Sequence, residues 1–210
     1  MEKKNIILIC VSVLVVVGLF FASSMVNKEK NNEDKYKGKV AQIIVKDYGS
    51  ILIELDYKNA PITVDNFAKL IEDKFYDGLT FHRIIDGFMI QGGGYTQDGN
   101  KKEASTIKGE FSLNNVDNKL SHTRGVISMA RNEYDYNSAS SEFFITLVDD
   151  DTFLDGSYAA FGTVVGGMDV VDKIAKDSNP TDDNGSIELS DRPVIESIRL
   201  VDRIVRDIDL

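Results

Sequence analysis

From residue 41 onward the chain consists of short runs of β-branched and aromatic residues, and only two stretches carry the three-and-four spacing of an amphipathic helix. AQIIVK (41–46) and SILIELD (50–56), separated by Asp47, Tyr48 and Gly49, read as a hairpin. TFHRII, a turn at Asp86 and Gly87, and FMIQ running into Gly92, Gly93 and Gly94 read as a second strand pair. GVISMA (125–130), SEFFITL (141–147), AAFGTVV (159–165) and a run around Val194 to Leu200 supply the remaining strands, and IVRDIDL extends or decorates the last of them. The helical stripes are Val64 to Phe75, with Thr63 expected to cap its start and Gly78 to mark its end, and Met168 to Lys176, with Val170, Val171 and Ile174 buried. Strands without helices between them exclude a βαβ architecture. They favour a mainly β fold in which an antiparallel sheet closes or folds over itself, because an open sheet leaves edges to protect.

Ahead of these strands, Asn5 to Val26 carries no charged side chain and follows a short start containing Lys3 and Lys4. As a helix rising 1.5 Å per residue, such a run reaches across a hydrocarbon core of about 30 Å, with the lysines keeping the amino end in the cytoplasm. Residues 1–26 are therefore expected to be a membrane anchor or, since Ala22 and Ser24 are small enough to precede a cut, a signal peptide. Residues 27–39 form a polar linker and 40–210 the folded domain, without a fixed-period repeat. Cys10, the only cysteine, excludes a disulfide within the chain. The formal net charge of −10 opposes nonspecific attraction to nucleic acid, which is not expected as a partner.

The stretch YDGLTFHRIIDGFMIQGG (76–93) sets one His, one Arg and one Gln among apolar residues. If Thr80 to Ile85 alternates strictly, Phe81, Arg83 and Ile85 point one way while His82 and Ile84 point the other. His82 is expected to be structural, its ring nitrogens satisfied by backbone groups. Arg83 is open between a structural salt bridge and a five-donor fork that receives a carbonyl oxygen on an apolar surface. Gly92 to Gly94 lacks the GKS or GKT ending of a phosphate loop, and there is no GxSxG nucleophile turn, no HExxH, no Cys/His cluster and no EF-hand spacing. Neither a metal nor a cofactor is expected.

Together, FHRIIDGFMIQGG (81–93), GVISMA (125–130), SEFFITL (141–147) and FLDGSYAAFGTVVGGMDVVDKI (153–174) resemble, in this order, the cyclophilin-type peptidyl-prolyl cis/trans isomerases. The resemblance implies a closed eight-stranded antiparallel barrel with two capping helices and a peptide groove on its outer surface. It implies that Arg83 is the catalytic arginine, holding the prolyl carbonyl and favouring the twisted amide, and that Gln91 helps place it. Phe88, Met89, Ala130, Phe144 and Leu154 are implied as groove positions, with Phe144 and Leu154 around the proline ring. Four implied substrate-binding positions depart from common family residues: Arg131 where asparagine is frequent, Glu142 where glutamine stands, Phe153 for tryptophan and Tyr158 for histidine. Glu142 could pair with a basic group of the peptide.

The expected function is acceleration of X-Pro rotation during folding of exported proteins, with proline-containing unfolded polypeptides as partners and the domain outside the cytoplasm, on a single-pass anchor or secreted after cleavage. A monomer is expected. The alternative is a proline-peptide binding module or holdase with little catalysis.

Overall fold

Eight strands make one antiparallel sheet: β1 Lys39–Val45, β2 Gly49–Leu55, β3 Leu79–Ile85, β4 Met89–Thr96, β5 Val126–Met129, β6 Phe143–Thr146, β7 Ala160–Gly166 and β8 Ile195–Asp202. The structure is a computed structural model and describes residues 36–203. The proposed anchor at 5–26 and the tail 204–210 lie outside the described residues. Among the described residues no helix is long and apolar enough to cross a membrane. Strand order is β3-β4-β6-β5-β7-β2-β1-β8. The sheet curls until its end strands meet: Thr80 bridges Val194, and the amides of Gly78 and Phe81 bond the carbonyls of Ile195 and Pro193. This contact, continued by the segment at 185–187 against β3, satisfies edge groups that an open sheet would expose.

Two helices cover the sheet, α1 Pro61–Glu72 and α2 Met168–Asp177. The expected Thr63 cap is corrected by the structure: α1 starts at Pro61, whose missing N–H suits the first helical position, and Ala60 at the boundary offers no side-chain cap. The free donors are met from outside the helix. Glu110, only 2 % exposed, accepts from the amides of Ile62 and Thr63 at 3.0 and 2.7 Å and from Thr63 Oγ1 at 2.7 Å. The helix also ends before Gly78. Asp73 closes it, Lys74 takes the left-handed conformation at φ 54°, and Gly78 lies at the entry to β3. In α2 the fully buried side chains are Val171, Ile174 and Ala175, with Val170 half-buried.

Phe67 of α1 joins Tyr76, Phe81, Phe143 and Phe161 in an aromatic interior with ring separations of 5.1 to 6.0 Å. Burying each such side chain stabilises the fold by about 1.5–3 kcal/mol. The Tyr76 hydroxyl satisfies itself on the Ser141 carbonyl at 3.1 Å, and burial pushes its pKa well up.

Strand pairing sorts residues onto two faces in rows. Ile84, Ile90, Ile145 and Ile127 are mutually in register and fully buried, forming an inner row. The adjacent row, Arg83, Gln91, Phe144 and Ser128, necessarily points to the other face. Strict alternation fails at one place. Phe81 pairs with Gly92 while Arg83 pairs with the next residue along, Gln91, so β3 carries an extra residue at His82. This bulge returns Phe81 to the interior, edge-on to Phe143, rather than beside Arg83. Ile85 alone of the expected flanks shares the arginine's side.

Candidate functional site

The outward row continues into a groove of about 280 Å³. Arg83 enters it from β3 with its guanidinium fixed at two points. Nε donates to the Asn184 carbonyl at 2.7 Å and Nη1 to Gln91 Oε1 at 3.2 Å, with Met89 Sδ 3.8 Å from the same nitrogen. Nη2 has no hydrogen-bond partner among the described residues. Burial pulls the Arg83 pKa below the ordinary arginine value, against the pull of Tyr158 and Asp182, yet a guanidinium so placed stays a cation. The Asn184 carbonyl comes from a turn in which the Ser186 amide bonds Asp182 Oδ1 and the Gly185 amide bonds the Asp182 carbonyl. Only glycine fits at 185: φ is 85°, and a Cβ would stand 2.5 Å from the Ile84 carbonyl oxygen.

Gln91 is itself held. Its Nε2 donates to Glu142 Oε2 at 3.1 Å, which directs its carbonyl oxygen toward Arg83. Burial pushes the Glu142 carboxyl up, but hydrogen bonds from His82 and Gln91 and the charge of Lys101 outweigh it and hold the pKa below the usual range. Glu142 fits over Gly94, where a Cβ would come within 2.5 Å of its Cγ. Two expectations change here. Glu142 does not line the groove but stands behind Gln91. His82 meets this carboxylate, Nε2 to Oε2 at 3.4 Å, and stacks on Tyr95, whereas its buried Nδ1 has no partner among the described residues.

Met89, Phe144 and Leu154 form the apolar floor, with Ile85, Phe88, Ala130 and Tyr158 packed against it. Phe153 is 68 % exposed and stacks on Phe88 at the rim, with centroids 5.8 Å apart. Phe144 meets the Tyr158 ring edge-on, and the His122 imidazole lies parallel to it at 6.0 Å.

Behind the floor is a Ser-His-Asp arrangement that sequence reading did not detect. His122 Nδ1 is 2.7 Å from Asp155 Oδ1, and Nε2 is 2.9 Å from Ser128 Oγ. Ser128 is 0 % exposed, so no substrate reaches it. Burial pulls the His122 pKa down, against the hydrogen bond and charge of Asp155. Since an ionised carboxylate can only accept, Nδ1 is the nitrogen that donates to Asp155. The network ties Phe144 and the residue after Leu154 to β5. Only folding brings its three members together, and no local motif announces them.

A short 3₁₀ turn, Asp151–Leu154, delivers Phe153 and Leu154 to the groove. Asp151 is 4 % exposed, and its Oδ2 is buried without a partner among the described residues. Burial, reinforced by Asp150, pushes its carboxyl up to about 6. The folded chain thus binds this proton more tightly than the unfolded one, so its stabilising contribution is complete below the ordinary carboxylate range and is lost as pH rises through about 6. Asp151→Asn should therefore raise Tm at pH 7.5 by about 2–4 °C and give no gain at pH 4. Thermal unfolding at both values checks this, and an equal gain at both pH values would refute it.

Arg131 follows Ala130 at the end of β5. Nε donates to the Ser157 carbonyl at 2.8 Å, and Nη1 to the carbonyls of Asn132 and Glu133 at 2.8 and 3.1 Å. The guanidinium lies over the rings of Tyr158, Tyr136 and Phe111 at 4.7, 5.1 and 5.3 Å. The groove thus gathers every implied site residue except Glu142. It offers fixed donors beside an apolar floor and no exposed nucleophile, equipment suited to a rearrangement that breaks no covalent bond.

A curled eight-stranded antiparallel sheet carrying two helices and an outward-facing groove defines a mainly β class of fold. The chain belongs to the family described as cyclophilin type peptidyl-prolyl cis-trans isomerase/CLD, whose sequence profile matches residues 40–201, and it is a peptidyl-prolyl cis-trans isomerase. It is 47 % identical over 133 residues to a peptidyl-prolyl cis-trans isomerase of Acinetobacter baylyi, covering 60 % of this chain and 67 % of that protein. It is 44 % identical over 135 residues to peptidyl-prolyl cis-trans isomerase B of Escherichia coli, covering 60 % and 79 %. Among solved structures, a Cryptosporidium parvum cyclophilin-type isomerase crystallised in the presence of the dipeptide Ala-Pro superposes with TM-score 0.62 at 26 % identity, covering 77 % of this chain and 98 % of that one.

Proposed function

We propose that Arg83 carries the catalysis, by binding the prolyl carbonyl more strongly when the X-Pro amide is twisted than when it is planar. The supporting observation is the fork itself, fixed on Asn184 and Gln91 with Nη2 free, above a floor of Met89, Phe144 and Leu154. Twisting an amide removes its resonance, the source of a barrier of about 18–20 kcal/mol, so a donor that prefers the twisted state lowers that barrier directly. The apolar floor takes the pyrrolidine ring, and Gln91 positions the arginine and meets the peptide backbone. Phe88, Ala130, Arg131, Phe153 and Tyr158 complete the peptide contacts, while Glu142 acts through Gln91. Proline-containing flexible polypeptides are the substrates. The testing experiment is exchange of a proline peptide by the full chain and by its Arg83→Ala variant. Measurable peptide binding without acceleration by the unmodified chain would favour a binding module instead.

The charge-free run at 5–26, preceded by Lys3 and Lys4, supports an isomerase held at the outer face of a membrane and serving translocated chains. The protein is then expected in the membrane fraction with Lys3 retained. N-terminal sequencing that finds a mature start near Met25 would overturn the anchor in favour of secretion.

A further inference from the structure

The groove's charge runs against that of the chain. The protein has 34 acidic and 24 basic residues, yet the groove is lined by two guanidiniums, Arg83 and Arg131, and by no carboxylate. Elsewhere Arg124, Arg199 and Arg203 each hold a carboxylate, on Asp172, Asp77 and Glu54, while Arg192 donates to the Ile187 carbonyl and forms no ion pair among the described residues. Arg131 forms no ion pair among the described residues. Its partners are three backbone carbonyls and three aromatic faces, which fix the guanidinium without neutralising it. Its Nη2 has no hydrogen-bond partner among the described residues. Glu142, the residue able to favour a basic peptide, is turned away into Gln91 and His82.

We propose that this groove selects prolyl bonds flanked by an acidic side chain, with Arg131 as the selecting cation. The proposal rests on the reading of the groove as the peptide site. A guanidinium already immobilised by stacking and carbonyl contacts loses little freedom on meeting a carboxylate, and its planar fork suits that partner. Because the site is open to solvent, the selectivity is modest and salt-sensitive.

The test uses the full chain and two peptide series, one varying the residue before proline and one the residue after it, each as Glu, Gln or Lys. Exchange rates and affinities are both measured. The expected result is a preference for Glu over Lys of about fivefold in at least one series at low salt, shrinking toward unity at about 0.5 M salt. Arg131→Gln should collapse that ratio, and Arg131→Lys, which keeps the charge but not the stacked planar fork, should retain only part of it. Equal treatment of Glu, Gln and Lys in both series, binding of no peptide, or a ratio unchanged in Arg131→Gln would overturn the proposal. A Glu preference in affinity without any acceleration would uphold the selection while overturning the catalytic reading, so the two failures are distinguishable.

Discussion

Replacing Arg83 by alanine is expected to lower prolyl exchange by about 10²- to 10³-fold, the range found when one preorganised donor to a developing charge is removed. Two features of the structure support so large an effect from one residue. Among the described residues no other cation meets both the Gln91 side-chain carbonyl and the apolar floor. The donors are oriented before substrate arrives, by Asn184 on one side and Gln91 on the other, so no reorganisation accompanies the twist. The alternative, uncatalysed rotation, takes tens to hundreds of seconds. Because the donor is proposed to act on the twisted amide more than on the planar one, peptide affinity should change less than the rate. Arg83→Lys keeps a charge but loses the two-point anchorage, and should recover only part of the activity. Magnetisation-exchange NMR on a proline tetrapeptide reads the rate directly, and a variant within twofold of the parent would remove Arg83 from the mechanism.

The largest effect on stability should come from Glu110, far from Arg83 in sequence and absent from the groove. Glu110→Ala leaves the buried Thr63 amide and hydroxyl and the part-buried Ile62 amide without their acceptor. Stranded buried donors cost about 1–3 kcal/mol each, and part of this is recovered as the helix end relaxes toward water, so a net loss of about 3 kcal/mol is expected. For a domain of this size that lowers Tm by about 6–12 °C. Glu110→Gln keeps one acceptor oxygen and should lose about half as much. Thermal unfolding of both variants provides the check. An alanine variant within about 2 °C of the parent would show that α1 does not depend on this remote cap.

Strand and helix identities were legible because burial on one face writes its period into the chain. The inner row of Ile84, Ile90, Ile127 and Ile145 and the outer row of Arg83, Gln91 and Phe144 are the two halves of that alternation. The same rule misplaced Phe81, since a bulge adds a residue without leaving a local sign; only the pairing partner Gly92 reveals it. The start of α1 was misassigned for a related reason. A threonine near a helix start is a familiar cap, but here the acceptor is a glutamate 47 residues away. Glu142 was read as a groove residue from its position in SEFFITL, yet its carboxylate turns toward His82 and Gln91, a choice fixed by packing over Gly94.

By itself, then, the sequence determined a mainly β chain with two helices, the apolar set that makes the interior, and the presence of an arginine, a glutamine and a group of aromatics in an ordered pattern. Those properties follow from residue type and period, which are local. What the tertiary structure alone decided is how donors face acceptors across long separations: Asn184 on Arg83, Glu110 on α1, Asp155 and Ser128 on His122, and three rings beneath Arg131. Hydrogen bonds and ring contacts act over a few ångströms, so they depend on which strands the curled sheet brings together. That proximity is a property of the closed chain path and not of any segment of it.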